Sequence, residues 1–368
     1  MDLYIISVIA FFGILAILIY RDRKNIDFKY ILVMKRTKRF KDSIDKIARK
    51  SPLLWKIIGT FAILICFFYM IQATYLIAVT QPTIQFVLPT IAAKGSSGPG
   101  YILIPFWFWI IVVGTILIPH ELFHGIMARA EKIKLKSVGL LLLAIFPGAF
   151  VEPDEKQLKK SKILTKLRIF SAGSFANFTV SFIIFYLTLY LIWPVAVEPG
   201  ILLLNVTASS PAEMGGLKPG MLLTEINGKQ IVSTYTEYLK GTSYLVDEIG
   251  DAKPNQTLVI KSNENLYDVK LGFNSTTNST YMGIVYTPVF RVDENFFLGT
   301  LLPLLTMISY FSLAVGIVNI LPIYPLDGGL MVQSIAEKFA KKKSKHIVRA
   351  ITLFVLFVLV YSFVKPFL

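Results

Sequence analysis

The 368-residue chain has one cysteine, three histidines and a deficit of acidic residues. Cys66 stands alone in an apolar stretch, which excludes a disulfide framework and a metal site built from thiolates. Asp and Glu number 23 against 38 Lys and Arg, so the net charge is +15. The basic residues cluster beside apolar runs instead of along one face of a soluble domain, so no nucleic-acid partner is expected.

Long hydrophobic runs are what the chain has in excess: 54% of its residues are hydrophobic and the mean hydropathy is +0.62. A spanning helix needs about 20 apolar residues to cross about 30 Å of hydrocarbon. Six windows satisfy this requirement: Leu3–Tyr20, Leu53–Val79, Tyr101–Ala128, Ile169–Pro194, Phe296–Leu321 and Ile347–Val364. The predicted fold is therefore a polytopic α-helical membrane protein, multi-pass in a lipid bilayer.

A seventh apolar run, Val138–Val151, is too short to span and carries Pro147-Gly148 within it. Irregular backbone is tolerated at membrane depth only where protein or a wet cavity shields it. The run is therefore predicted to be a re-entrant or hairpin segment.

The charges of the loops predict the orientation. Residues 21–50 hold 12 Lys/Arg against 4 Asp, and residues 129–168 hold 10 against 4 acids. Residues 80–100 carry one charge, Lys94, and residues 196–294 are acidic on balance, with 11 acids against 7 bases. Because basic loops stay in the cytoplasm, both termini and residues 196–294 are predicted to be extracytoplasmic.

Residues 196–294 are the predicted soluble domain, with short alternating strands and the turn signals Ser210-Pro211, Pro219-Gly220 and Asn227-Gly228. This stretch holds four Asn-x-Ser/Thr sequons, whose predicted outer position is compatible with glycosylation. The sequons begin at Asn205, Asn255, Asn274 and Asn278.

The strongest motif is His120-Glu-Leu-Phe-His124, which uses two of the three histidines. Positions i and i+4 share a helix face, so both imidazoles can bind one zinc ion. Glu121 then lies beside the ion, where its carboxylate can take a proton from the attacking water. Two packed helix histidines are the alternative, but ionisable groups within a membrane span normally mark function.

A hydrolytic zinc usually has three protein ligands. His346 lies in a lysine-rich loop and is expected to be solvated, so the third ligand is predicted to be a carboxylate, Asp327. Spacing alone leaves Asp327 equally open to capping the following helix. Pro322 and Pro325 favour the ligand, because they leave unwound backbone at membrane depth. Helix rise puts the site on the order of 10 Å inside the cytoplasmic boundary.

The HExxH helix, the Asn319-x-x-Pro-x-x-x-Leu-Asp-Gly segment and their order resemble the site-2 protease family of intramembrane metalloproteases. Ser171–Phe178 is similar to the family's Ala-Gly-x-x-x-Asn stretch, except that Ser174 stands where relatives often have proline. The resemblance implies zinc binding by His120, His124 and Asp327, one ion per chain, with Glu121 as general base. It also implies that Asn177 and Asn319 hold the substrate backbone or the developing oxyanion.

The resemblance covers roughly residues 101–340, and together with the predicted spans it divides the chain. Residues 1–80 would hold two transmembrane helices with a basic cytoplasmic loop, and residues 101–195 the first half of the protease core. Residues 196–290 resemble a PDZ domain, and residues 295–368 would complete the core and end in a last transmembrane helix. The Val138–Val151 segment looks like the family's membrane-embedded hairpin, whose edge can bind an unwound substrate.

The predicted function is hydrolysis of peptide bonds in transmembrane protein substrates, within or near the bilayer. One alternative is a catalytically silent scaffold that uses its PDZ domain, which would be expected to have lost Glu121. The other is a zinc transporter, which would have further intramembrane His or Asp residues along a route.

Overall fold

The structure is a computed structural model that describes residues 3–80, 86–92, 95–98, 101–143, 146–235, 252–274 and 279–364. Lys94 and the sequon residue Asn278, both used above, lie outside the described residues. Contacts divide the chain into two compact units, Met1–Phe182 with Met307–Leu368 and Ile183–Thr306.

Helices account for most of the first unit and link it to the second. In chain order they are α1 (Leu3–Arg21), α2 (Lys38–Lys50), α3 (Pro52–Thr80), α4 (Phe106–Ala130), α5 (Glu155–Lys160), α6 (Ile163–Leu187), α7 (Trp193–Ala196), α8 (Pro211–Met214), α9 (Glu294–Phe296), α10 (Leu302–Ile320), α11 (Asp327–Phe339) and α12 (Ser344–Val364). Short 3-10 turns cover Arg23–Asn25 and Lys341–Lys343, and π-helical turns cover Thr188–Ile192 and Phe297–Leu301.

Six helical segments of the described chain are long and apolar enough to cross a membrane, with mean hydropathy between 1.7 and 2.7. They are Leu3–Arg21, Pro52–Val79, Phe106–Ala130, Ile163–Ala196, Glu294–Ile320 and Lys341–Ser362. The six predicted spans are confirmed as segments, and the chain is a multi-pass helical membrane protein.

Two predicted spans differ most from the helices at their starts. The helix predicted from Ile169 begins at Ile163, because Lys166 and Arg168 lower the hydropathy of its first turns without interrupting it. The third helix begins at Phe106 and not at Tyr101, because Tyr101–Pro105 forms a strand. Pro105 disfavours helical geometry in the residue before it, and its φ of −50° suits the position that precedes a helix.

The strands in chain order are β1 (Ile26–Lys29), β2 (Leu32–Arg36), β3 (Phe86–Thr90), β4 (Ser96–Gly98), β5 (Tyr101–Pro105), β6 (Leu135–Leu143), β7 (Phe146–Pro153), β8 (Val197–Val206), β9 (Leu222–Ile226), β10 (Lys229–Gln230), β11 (Thr257–Ser262), β12 (Asn265–Lys270), β13 (Gly272–Asn274), β14 (Ser279–Tyr281) and β15 (Ile284–Phe290). They form sheets in the orders β1-β2-β6-β7, β3-β5-β4, β12-β11-β9-β8-β15 with β10 on β9, and the pair β13-β14.

The run predicted as a hairpin forms two antiparallel strands, β6 and β7, paired from Leu135↔Pro153 to Leu143↔Phe146. The hairpin β1–β2 extends it to four strands, with Leu32 opposite Leu143. One edge of this sheet, β7, packs against α4. The sheet therefore brings backbone groups of β7 to the helix that carries the histidines.

The core of the first unit surrounds the second half of α4. Ile126, Met127 and Ala128 are buried among residues from α2, α6 and β6. The amphipathic helix α2 contributes Ile44 and Ala48, which recur at the helical spacing of four and are both 1% exposed. Burial on all sides makes this end of α4 a rigid support for side chains one turn earlier.

The second unit is built around the sheet β12-β11-β9-β8-β15. Burial alternates along β11, where Leu258, Ile260 and Ser262 face the core. The predicted Asn227-Gly228 turn is confirmed: Ile226 pairs with Lys229, and both turn residues have positive φ, 51° and 75°. These angles belong to the two-residue hairpin turn that Asn-Gly favours.

Candidate metal centre

Helix α4 directs His120 and His124 to one point. They lie one turn apart, so both imidazoles leave the same face of the helix. Their Nε2 atoms are 3.2 Å apart, and the planes of the two rings meet at an angle of 79°. Both side chains are largely buried, His120 at 8% and His124 at 12% exposure.

Asp327 approaches the same point from another element. Its Oδ2 lies 3.4 Å from Nε2 of His120 and 3.2 Å from Nε2 of His124. Asp327 does not cap the helix that follows it, so this alternative is wrong. Leu326 occupies the capping position of α11, and no side-chain cap is present there. Asp327 is instead the first residue of α11, where the helix dipole favours its negative charge.

The backbone between α10 and α11 turns back sharply. A Cβ atom added to Gly328 would overlap the carbonyl group of Ile320, so only glycine fits after Asp327. The Tyr324–Pro325 peptide bond in this loop is cis. The turn delivers the Asp327 carboxylate from the end of a long apolar helix to the histidines.

The three ligand atoms fit a zinc ion. A tetrahedral zinc with bonds of about 2.0–2.1 Å holds its ligand atoms about 3.3 Å apart. The three separations here are 3.2, 3.2 and 3.4 Å. Two imidazoles and one carboxylate are also a ligand set that catalytic zinc uses, with a fourth position free.

The remaining ring nitrogens have partners that hold the imidazoles in place. Nδ1 of His124 donates to the carbonyl oxygen of Ile169 at 2.7 Å, which leaves its Nε2 with a lone pair for a metal. Nδ1 of His120 lies 3.1 Å from the amide of Asn177, which is fully buried. Within the described residues the buried Asn177 Oδ1 has no hydrogen-bond partner, and a 180° rotation of the amide makes it the acceptor for the His120 Nδ1–H.

Gly173, on α6, leaves the space in front of the histidines open. A Cβ atom at this position would lie 2.6 Å from Nε2 of His120 and would overlap Nε2 of His124. A side chain at residue 173 would therefore fill the space in front of the two Nε2 atoms. The absence of a side chain on α6 is part of the site.

Glu121 is held by the sheet. Its Oε2 accepts a hydrogen bond from the backbone N–H of Val151, on β7, at 3.0 Å. Because residue 121 is rotated about 100° around the helix from residue 120, its carboxylate leaves α4 beside the histidine face. A carboxylate fixed next to a metal position is what a general base requires.

The part of the chain that contains these residues is similar to a known protein family. Residues 108–363, which contain the centre, match the model of Peptidase family M50. The chain belongs to Peptidase family M50. Proteases of the M50 family are zinc metalloproteases, so the chain is a member of a family of membrane metallopeptidases.

Two relatives show how far the similarity extends. An uncharacterised protein of Methanocaldococcus jannaschii is 29% identical over 344 residues, 91% of this chain and 86% of that protein. A membrane-bound transcription factor site-2 protease homolog of Arabidopsis thaliana is 30% identical over 141 residues, 37% of this chain and 26% of that protein. The M50 match begins after α1, α2 and α3.

Among the described residues the group of candidate ligands is His120, His124 and Asp327, and other residues singled out in the sequence are not part of it. Asn319 is half-buried near the end of α10, and no hydrogen bond of its side chain is found within the described chain. His346 is exposed at the start of α12, as expected for a solvated residue. Ser174 lies closer, with its Oγ 3.5 Å from Oδ2 of Asp327, a long contact.

Three parts of this M50 centre are not reactive side chains and are therefore not recognisable from residue type. The carbonyl of Ile169 and the N–H of Val151 are backbone groups, which any residue supplies, so residue type gives no signal for them. For Gly173 the sequence offers only the resemblance of its segment to a family segment, and this does not predict the space that the glycine leaves at the site.

Proposed function

We propose that this chain is a zinc metalloendopeptidase of the site-2 protease type, which hydrolyses peptide bonds of membrane-protein substrates within or near the bilayer. The observation that carries the proposal is the triangle of ligand atoms from His120, His124 and Asp327, with Glu121 as the next residue on the same helix. Membership of Peptidase family M50 supports it.

The roles follow from the chemistry of each side chain. His120, His124 and Asp327 would bind one zinc ion. When bound, zinc acts as a Lewis acid that polarises the peptide carbonyl and lowers the pKa of its water to about 7. Glu121 would accept the proton of the attacking water and deliver it to the leaving amine. The Val151 N–H supports this role, because it restrains one carboxylate oxygen and leaves the other for the proton.

The contact of Asn177 with His120 supports a positioning role, in which its amide orients the imidazole. Binding of the substrate backbone or the oxyanion by Asn177 or Asn319 stays a prediction from the resemblance. The edge of β7 that faces away from β6 is proposed to bind unwound substrate by strand addition, through backbone groups other than the Val151 N–H, which binds Glu121.

The topology is also a proposal, supported by the distribution of Lys and Arg. Both termini and the soluble segment would be extracytoplasmic, and the catalytic centre would lie near the cytoplasmic side. The division into 1–80, 101–195, 196–290 and 295–368 belongs to the same proposal.

Metal analysis tests the central claim. The purified chain is expected to hold one zinc, and Asp327→Ala is expected to lower the occupancy and abolish cleavage of a transmembrane substrate. Glu337→Ala is the matched control, since Glu337 is an exposed acid on the same helix, α11. Full occupancy and cleavage in the Asp327→Ala variant would remove Asp327 from the site.

We further propose that residues 196–290 form a PDZ-like domain that excludes substrates with bulky outer portions. The sheet with β10 on β9 and the short helix α8 support the likeness. Deleting 196–290 should release cleavage of a substrate that still carries a folded outer domain. If the domain recruits substrates instead, deletion should reduce cleavage of the native substrate, and unchanged cleavage of both would mean that it does neither.

A further inference from the structure

A cavity of about 380 Å³ opens beside the Glu121 carboxylate. Three elements line it: α2, the middle of α4 and the β6–β7 hairpin. Among the lining residues Glu121 alone is charged, and the Ser43 hydroxyl is already used by the carbonyl oxygen of Arg39, at 3.0 Å. The rest of the lining is apolar, with Phe40, Ile118 and Phe150 among its large side chains, so the cavity suits an apolar group.

Two polar contacts hold the wall formed by α2 against its neighbours, and both are made in the C-terminal half of the helix. Asp45 forms an ion pair with Arg129 at the end of α4, and Arg129 also donates to the carbonyl oxygen of Ile133 at 3.0 Å. The Trp55 indole N–H, from α3, donates to the carbonyl oxygen of Ile47 at 3.2 Å. With Ile44 buried beneath it, α2 is a constructed wall and not a loose surface helix.

The backbone of β7 indicates what enters the cavity. β7 ends its sheet, and the Val151 N–H leaves the sheet to bond Glu121, so this N–H faces the free edge. In an antiparallel strand, residues two apart present their backbone groups to the same edge, so those of Ala149 face it too. Ala149 and Val151 both line the cavity. The Val151 N–H is already bound to Glu121, so a peptide would pair with the Ala149 groups. Such pairing would bring the backbone of the peptide next to Glu121 and its alternate side chains to one face.

We propose that this cavity is the side-chain pocket that selects a residue next to the cleaved bond, and that it takes a large apolar or aromatic side chain. The proposal rests on the protease function proposed above. An apolar cavity of about 150 Å³ is enough to bind benzene, so a volume of about 380 Å³ accommodates one large apolar or aromatic side chain. A lipid chain in the same groove is the competing occupant.

Part of the pocket lies outside the region of the chain that matches the family. The residues of α2 precede residue 108, where the match to Peptidase family M50 begins. Side-chain selection in this chain is therefore set in part by a segment outside the matched core.

The test varies the substrate and the pocket together. One transmembrane substrate is made with Ala, Leu, Phe or Trp at each position flanking the bond that mass spectrometry shows to be cleaved. Wild type should favour Phe or Trp over Ala at one flanking position, by about tenfold to a hundredfold in kcat/KM. Ser43→Trp fills the pocket and should reduce that ratio by about tenfold.

The control is Lys46→Trp, at an exposed position of α2 that does not line the cavity, and it should keep the wild-type ratio. Phe40→Ala enlarges the pocket and should shift the preference towards Trp, which decides the matter if Ser43→Trp does not fold. Zinc content and the thermal midpoint are measured for each variant.

Three results overturn the pocket. They are equal cleavage of all flanking residues by wild type, equal ratios in Ser43→Trp and Lys46→Trp, and a lipid that fills the groove with no effect on preference. If the zinc-loaded wild type cleaves no substrate at all, the protease function fails first, and that outcome is distinct from cleavage without a preference.

Discussion

Helix α4 serves two regions that are built in opposite ways. On the face of His120 and His124, three ligand atoms lie 3.2–3.4 Å apart, and a fourth residue, Gly173, leaves the space between them open. About 100° round the helix, Glu121 borders an apolar cavity of about 380 Å³. The first region depends on the positions of individual polar atoms, and the second on shape and volume.

The difference predicts how each region responds to substitution. A coordination site tolerates almost no displacement of its ligand atoms, because geometry sets the binding energy. An apolar pocket loses selectivity in proportion to the volume filled or removed. Changes to the three ligands or to the space between them should therefore be all-or-none, whereas changes to the residues that orient the ligands or that line the cavity should be graded.

The largest effect is expected from Gly173→Ala. The added methyl group overlaps Nε2 of His124, so both zinc binding and cleavage should be lost. Metal analysis of the purified variant and cleavage of a transmembrane substrate measure this. Gly114→Ala is the matched control, since a Cβ atom there meets nothing within 4 Å, and it should retain zinc. Wild-type zinc in Gly173→Ala would contradict an all-or-none site.

Glu121→Gln should separate binding from chemistry. The amide oxygen can still accept the Val151 N–H, so the fold and the zinc content should persist. An amide cannot take a proton from water, so the cleavage rate should fall by about 10²–10⁴. Cleavage at near wild-type speed would remove Glu121 as the base.

Asn177→Ala should give a smaller, graded loss on the histidine face. Removing the partner of His120 Nδ1 is expected to weaken zinc about 10- to 100-fold. Competition with a chelator measures this, and the visible spectrum of the Co²⁺-substituted protein should change as the imidazole reorients. Asn177→Asp keeps an acceptor and should restore the affinity. Unchanged affinity with a raised KM would instead favour a substrate role.

The parts that the sequence predicted are those decided locally. The six spans follow from the length of apolar runs, and the shared face of His120 and His124 follows from a spacing of four. The helix boundaries were less accessible, as the strand Tyr101–Pro105 shows. There Pro105 divides one continuous apolar run into a strand and a helix, which hydropathy alone does not distinguish.

The sequence by itself determined a membrane protein with one set of residues suited to zinc, because span length and helical periodicity are properties of short segments. Only the tertiary structure brings Asp327 within 3.4 Å of histidines about 200 positions earlier in the chain. It also shows that Asp327 does not cap its helix, and it places Gly173 in front of the two histidine side chains. It also decided that α2 walls a cavity at Glu121, since distant segments meet only through packing.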